Sequence, residues 1–269
     1  MNAVVSRSNV AHDAAYAAVV VIPVYNHEHA IGAVAEAVLA HGLPCVLVDD
    51  GCSAACAQAL REIAAARPQR VTLLVHARNQ GKGGAVMTGL RHAAAAGYTH
   101  ALQIDADGQH EAADIPRFIA ASQAAPQTVI NGQPVYDESV PKGRLYARYL
   151  THVWVWINTL SLEIRDSMCG FRIYPLAPTL RLMDSAHIGR RMDFDTEILV
   201  RLHWRGLRVR NMATRVRYPA DGVSHFKVWL DNVLISRMHA RLFFGMLLRS
   251  PLLLSRRLGR LLRPSAGGA

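Results

Sequence analysis

The feature that most limits what this chain can fold into is its opening alternation of short apolar runs with helically spaced segments. The runs at 18–24, 45–50, 71–76 and 99–105 are brief and apolar almost throughout, as strands buried on both faces are. Between them, 29–40, 53–66 and 83–96 repeat apolar residues at helical spacing, with Ser53 placed as an N-cap. A fourth helix follows at 114–123, carrying Pro116 in its first turn. Such alternation predicts an α/β architecture: a mostly parallel central sheet with flanking helices. In open sheets of this kind ligands bind beyond the carboxyl ends of the strands.

From about residue 125 the alternation loosens. The pattern predicts an aromatic-rich helix over 144–162, a short strand at 171–174, a helix at 193–204 and an alternating strand at 207–218. Two amphipathic helices, 227–248 and 252–262, are expected to close the chain, parted at Pro251. With no internal repeat and no low-complexity linker, the expected organisation has three parts. They are a flexible arm over 1–17, one domain over 18–230 and a basic C-terminal extension over 231–269.

Of the 269 residues 51% are hydrophobic and 19% charged, enough apolar material for a packed core. The four cysteines form no CxxC pair and read as reduced thiols. The 13 histidines show no metal-ligand spacing. No signal-peptide pattern and no spanning stretch of about 18–20 apolar residues is visible, so a cytoplasmic, peripheral location is expected.

The net charge of +10 is uneven. After Asp231 no acidic residue follows, while Arg237, Arg241, Arg249, Arg256, Arg257, Arg260 and Arg263 do. Within this segment Leu254, Leu258, Leu261 and Leu262 share one helical face, while Arg256, Arg260 and Arg263 lie opposite. Basic charge beside leucines points to an anionic membrane surface rather than nucleic acid. His225, just before this region, is a candidate acceptor-side residue with Arg256, Arg257 and Arg260.

Polar motifs close each apolar run. Asp105-Ala-Asp107-Gly-Gln109 carries two carboxylates that extended backbone points the same way, a pair able to hold a hard divalent cation and through it a diphosphate. The first run ends in Ile22-Pro23-Val24-Tyr25-Asn26, and the second in Val48-Asp49-Asp50-Gly51-Cys52-Ser53. Asn79-Gln80-Gly81-Lys82-Gly83-Gly84 opens a helix, where free backbone amides and a lysine make an anion site. It has neither the GxxxxGK[ST] nor the GxGxxG spacing.

In this order the four motifs resemble those of the family 2 glycosyltransferases of GT-A fold. The likeness is nearest the branch of dolichol-phosphate mannose synthases and polyprenyl-phosphate glycosyltransferases. Asp166-Ser-Met-Cys-Gly170-Phe171-Arg172 resembles the D-x-x-x-GFR segment of that branch, and Asp193-Phe-Asp195-Thr-Glu197 its helix with a conserved acid. The resemblance implies that Pro23, Tyr25, Asn26 and Asp50 line the nucleotide. Asp105, Asp107 and Gln109 would serve ribose and a Mg²⁺ or Mn²⁺ ion, while Lys82 and Arg172 would meet phosphate.

The implied activity is transfer of a sugar from a nucleotide-diphosphate sugar to a lipid-linked acceptor, a polyprenyl phosphate, with inversion. Absence of a Q-x-x-R-W signature implies one sugar per encounter. A hydroxyl acceptor, with Glu197 as general base, is the alternative. A silent membrane-bound scaffold and a sugar-phosphate nucleotidyltransferase are the remoter readings. The intact Asp50, Asp105 and Asp107 speak against the first, and IPVYNHEHA in place of a glycine- and arginine-rich loop speaks against the second.

Overall fold

A computed structural model of the chain describes residues 15–135, 142–217 and 226–261. Seven strands form one sheet: β1 (Ala18–Val24), β2 (Cys45–Asp49), β3 (Val71–Val75), β4 (His100–Gln103), β5 (Thr128–Val135), β6 (Arg172–Pro175) and β7 (Arg208–Arg215). The order is β3-β2-β1-β4-β6-β5-β7, parallel except that β6 runs against both β4 and β5. The helices are α1 (Ile31–Ala40), α2 (Ala54–Ala66), α3 (Lys82–Ala95), α4 (Ile115–Ala124), α5 (Lys142–Thr159), α6 (Leu176–Ser185), α7 (Phe194–Trp204) and α8 (Val228–Leu261).

Period-two alternation along the strands divides the core into two layers. Val19, Val21, Val46 and Val48 pack on one face with residues of α3, α6, α7 and α8, among them Leu90, Leu182, Leu199 and Leu242. Val20, Ile22 and Leu47 pack on the other with Ile31, Leu60 and Phe118 of α1, α2 and α4. Each fully buried side chain of this kind contributes about 1.5–3 kcal/mol over leaving it exposed. The expected α/β sheet with helices on both faces is therefore present, and Ser53 caps α2 as expected, its Oγ accepting from the Cys56 N–H.

Three elements differ from the sequence expectation, one of them α6, where no helix is expected. β5 is a full strand, although Asn131, Gly132 and Pro134 interrupt its apolar pattern. Beyond Ile130 and Asn131 it has no partner in β6, so Pro134 pairs on one side alone, where a missing donor is tolerated. The C-terminal segment is one helix, with Pro251 inside it. Proline cannot donate to the carbonyl four residues back, but the Ser250 hydroxyl donates to Leu247 O at 2.9 Å in its place. Burial of Met246 and Leu253 on either side of the proline holds the helix against the domain. His225 lies outside the described residues, as do 1–14 of the expected arm.

Candidate active site

The strand order reverses at β1, which has β2 on one side and β4 on the other; the crevice beyond such a reversal is where open sheets bind ligands. β6 begins at the edge where β1, β2 and β4 end, because it is antiparallel to β4. Four segments therefore converge: 23–26, 49–53, the 79–84 turn into α3, and 105–110 with 166–172 beside it.

The glycine turn is shaped from below. Asp50, only 2% exposed, accepts from the backbone N–H of Gln80 at 2.8 Å and of Gly81 at 2.9 Å, and lies 2.8 Å from His76 Nδ1. Gly51 has φ +72°, and a Cβ there would stand 2.6 Å from the Asn79 nitrogen, so only glycine lets the two turns meet. Asn26, in the left-handed region at φ 55°, accepts from the Ser53 N–H at 2.7 Å and joins the ends of β1 and β2. Pro23 is buried at the end of β1, with the half-buried Tyr25 beyond it. Asp50 thus spends its oxygens on the loop that presents Lys82.

Lys82 opens α3 with its ammonium between two carboxylates. Nζ lies 2.9 Å from Asp105 and 2.8 Å from Asp195. Burial alone would lower the Lys82 pKa, but the two carboxylates outweigh it and raise it. Burial likewise opposes ionisation of Asp105, yet Lys82 and His110 hold its carboxyl well below the usual range. His110 Nε2 is 3.5 Å from Asp105, and its ring stacks on Phe171. Asp107 is half-buried and, among the described residues, accepts only from the Gln109 N–H, at 3.0 Å. Gln109 O in turn accepts from the Arg217 N–H, which pins the turn to the end of β7.

Behind this cluster lies a buried polar chain. Gln103 donates to Asp195 Oδ1 at 3.0 Å and accepts from the Tyr174 hydroxyl at 2.9 Å. Burial pushes Tyr174 up to about 12. Arg172 is fully buried. Its Nε donates to Asn131 Oδ1, Nη1 to Tyr174 Oη and Asp195 O, and Nη2 to Ser167 O and Cys169 O. Since guanidinium has five N–H groups, all are matched inside the protein and none points at an incoming phosphate.

Glu197 is turned inward in the same way. It is fully buried, accepts from the Gly189 N–H at 2.8 Å, and pairs with Arg201 at 2.7 Å and Arg241 at 2.8 Å. These bonds join α7, α8 and the 189–191 turn, whose Arg190 O accepts from Gly84 N. At the far end of α7, Arg256 donates to Trp204 O and Arg257 to Leu160 O; Arg260 lies near the C-terminus of α8. Arg256 and Arg257 are therefore not at the strand-end crevice.

Sequence reasoning placed Lys82, Asp105 and Asp107 at the strand ends, where the structure has them, and did not anticipate the contacts of Asp195, His110 and Gly170. Their only signal was adjacency to quoted motifs. Among the described residues no three His, Cys, Asp or Glu side chains converge as a ready metal cage. A divalent cation shared with a diphosphate needs fewer protein ligands, however. Asp105 Oδ1 is buried without a well-aligned hydrogen bond, although the Lys82 ammonium is within 2.9 Å. With Asp107 half-open two residues on, the donor set suits such a shared ion.

Comparison with known proteins agrees with this geometry. A dolichyl-phosphate beta-glucosyltransferase of Drosophila melanogaster is 28% identical over 202 residues, covering 67% of this chain and 60% of its own length. A polyprenol monophosphomannose synthase of Mycolicibacterium smegmatis is 28% identical over 169 residues, 58% of this chain and 60% of its own. The chain thus spans about three fifths of these two relatives. Among solved structures, glucosyl-3-phosphoglycerate synthase from Mycobacterium tuberculosis with Mn²⁺ and UDP-glucose superposes with TM-score 0.60 at 17% identity, covering 94% of this chain and 82% of its own. That superposition establishes the GT-A architecture. The family model for glycosyl transferase family 2 matches residues 19–188, from β1 through the glycine turn, the Asp105–Asp107 pair and β6, and on that span the chain belongs to this family of glycosyltransferases.

Proposed function

We propose that this enzyme transfers a single sugar from a nucleotide-diphosphate sugar to a polyprenyl phosphate at a membrane surface. The observation that carries the reading is the Lys82–Asp105–Asp195 cluster at the β1/β4 reversal, a charged site at the position where this sheet type holds nucleotides. The similarity to the dolichyl- and polyprenol-phosphate enzymes supports the acceptor class. In the reaction an acceptor phosphate oxygen bonds to the anomeric carbon as the bond to the nucleoside diphosphate breaks, and the diphosphate leaves with the electron pair. In-line attack inverts that carbon.

A phosphate oxygen is already nucleophilic at neutral pH, so the step needs no general base. That agrees with a Glu197 whose oxygens are engaged by Gly189, Arg201 and Arg241. Asp105, Asp107 and Gln109 would hold Mg²⁺ or Mn²⁺, which when bound neutralises the leaving diphosphate. Lys82 adds positive charge beside it, and Pro23, Tyr25 and Asn26 border the nucleotide. Asp50 and Arg172 act as positioning residues, the first holding the glycine turn and the second the floor under Asp195.

The membrane part of the reading rests on an outer apolar face. On α5, Tyr149, Leu150, Val153 and Ile157 are exposed, and on α8 Trp229, Phe244 and Leu248. Among the described residues no helix is long and apolar enough to cross a membrane, so the contact is of the interfacial kind.

The test is thermal stability with UDP, GDP and their sugar conjugates, with and without Mn²⁺, for wild type and Asp107→Ala. A ligand specific for the native state raises the melting temperature with its saturation. One nucleotide should give a metal-dependent shift that the variant loses. No shift with any nucleotide would refute the donor assignment.

A further inference from the structure

We propose a second anion site, remote from the sugar-transfer crevice, that takes the phosphate of an anionic phospholipid headgroup. It is a cavity of about 160 Å³ between the end of α5, the end of α7 and the last turns of α8. Ser161, Glu163, His203, Arg256 and Arg257 give it polar walls, and Leu160 and Leu253 complete it. His203 closes α7, whereas Asp195 opens it, so the cavity lies about 12 Å along the helix axis from the Lys82 cluster.

Three observations point to an anion. His203 is 5% exposed, and among the described residues no group stands within close hydrogen-bond distance of either ring nitrogen; its nearest partner is Glu163, in a loose ion pair 3.7 Å from Nε2. Arg256 and Arg257 each donate through one Nη1 to a backbone carbonyl, and among the described residues neither has a carboxylate partner. Most of their N–H groups are therefore available to an oxyanion. The one acidic wall is already compensated: Glu163 bonds Arg208 Nε at 3.0 Å and the Val209 N–H at 2.7 Å.

The rim identifies which phosphate fits. Leu162 sits in the loop between two lining residues and is 68% exposed, while Leu254 and Leu258 flank the two arginines on α8 at 46% and 59%. A soluble phosphate has no use for exposed leucines around its site. A phospholipid does, since its acyl chains would lie over them while two guanidiniums hold the headgroup. Occupancy would fix the distal end of α8 on the bilayer, at the opposite end of α7 from the transfer site.

The test uses the full chain in two assays, co-sedimentation with phosphatidylglycerol or phosphatidylcholine vesicles and melting temperature in glycerol phosphate against chloride at matched ionic strength. R256Q/R257Q is compared with R181Q/R237Q, which removes the same charge from exposed positions outside the cavity. We expect the cavity pair to weaken phosphatidylglycerol binding about tenfold or more, each arginine near an anionic leaflet being worth about fivefold, and to abolish a glycerol phosphate shift seen in wild type. The control pair should change either by less than about twofold. Equal loss in both pairs would mean diffuse charge and overturn the site. Loss of the glycerol phosphate shift with vesicle binding at the control level would overturn the lipid and leave a soluble phosphate as ligand. Should the cavity pair unfold, Arg257→Glu, on an exposed side chain, must still weaken vesicle binding more than Arg237→Glu does.

Discussion

Gly170 gives the Asp105 carboxylate the space it occupies: a Cβ on Gly170 would stand 2.1 Å from Oδ2 of Asp105. The juxtaposition follows from strand register. Gln103 lies opposite Arg172 in the antiparallel β4–β6 pair, and the same register continued two residues brings 170 opposite 105. Gly170→Ala should therefore displace the carboxylate away from Lys82. An angstrom of misplacement at a reacting centre costs about a hundredfold, so we expect transfer to fall about 10–100-fold, read as kcat in a sugar-transfer assay. Unchanged kcat would show that the position of Asp105 is not limiting.

Lys82 neutralises two carboxylates at once, and among the described residues the Asp195 carboxylate pairs with no other cationic side chain. Lys82→Met keeps the length and removes the charge. Breaking a fully buried pair costs about 3–5 kcal/mol; with Asp105 21% and Lys82 16% exposed, about 2–3 kcal/mol is expected. Urea denaturation measures it. The nucleotide-induced melting shift should fall together with stability, and a variant as stable as wild type would remove Lys82 from the centre of the site.

The parallel half of the sheet was legible because each of β1 to β4 is a short apolar run, buried except along the edge strand β3, and each is followed by a helix with its own stop signals. β5 was not, since Asn131 reads as a loop residue until its carboxamide is seen bonding Arg172 Nε and Asp166 O inside the protein. The break at Pro251 was expected on backbone chemistry, and the Ser250 hydroxyl that replaces the lost bond cannot be weighed without geometry. At the site, strand-end position identified Asp50 and Asp105, and the family resemblance Arg172, as polar residues near the crevice. It did not say whether each faces the crevice or clasps the chain beneath it, because both uses place a charged residue at the same point in the sequence.

His239 makes the packing of α8 on α5 sensitive to acid. Burial pushes its imidazole down to about 4 from an ordinary 6.5; the Asn158 amide is 3.3 Å from Nδ1, and the Trp154 ring lies tilted against it, centroids 6.0 Å apart. Between those values the unfolded chain binds a proton that the folded chain refuses, so stability falls as pH drops from about 6.5 to about 4. The full span is worth up to about 3 kcal/mol. Glu163, held at about 2 against an ordinary 4.5, costs stability only below about pH 4.5, while Asp193, raised by burial, acts with the opposite sign and is common to wild type and variant. His100 and His152 are also held low by burial and act with the same sign as His239. His239→Gln should therefore flatten, without abolishing, the loss of urea stability between pH 6.5 and 4.5; an unchanged slope would refute the assignment.

Asp107 and Glu197 are both carboxylates of motif segments, and they should fail differently. Asp107 is half-open and, among the described residues, bonded only to its own turn, so Asp107→Ala should cost less than about 1 kcal/mol of stability. Because the proposed ion depends on it, turnover should fall about a hundredfold or more. Glu197 is sealed from solvent and holds Arg201, Arg241 and the Gly189 N–H. Glu197→Gln keeps the shape but removes the charge that two arginines face, and should cost about 2–4 kcal/mol. Below its melting temperature the variant should retain kcat within about threefold, since a phosphate acceptor needs no base. Paired urea melts and kcat measurements on the two variants separate the roles. A stable Glu197→Gln enzyme with kcat down a hundredfold or more would instead identify a hydroxyl acceptor with Glu197 as its base, and would overturn the polyprenyl phosphate assignment while leaving the donor site intact.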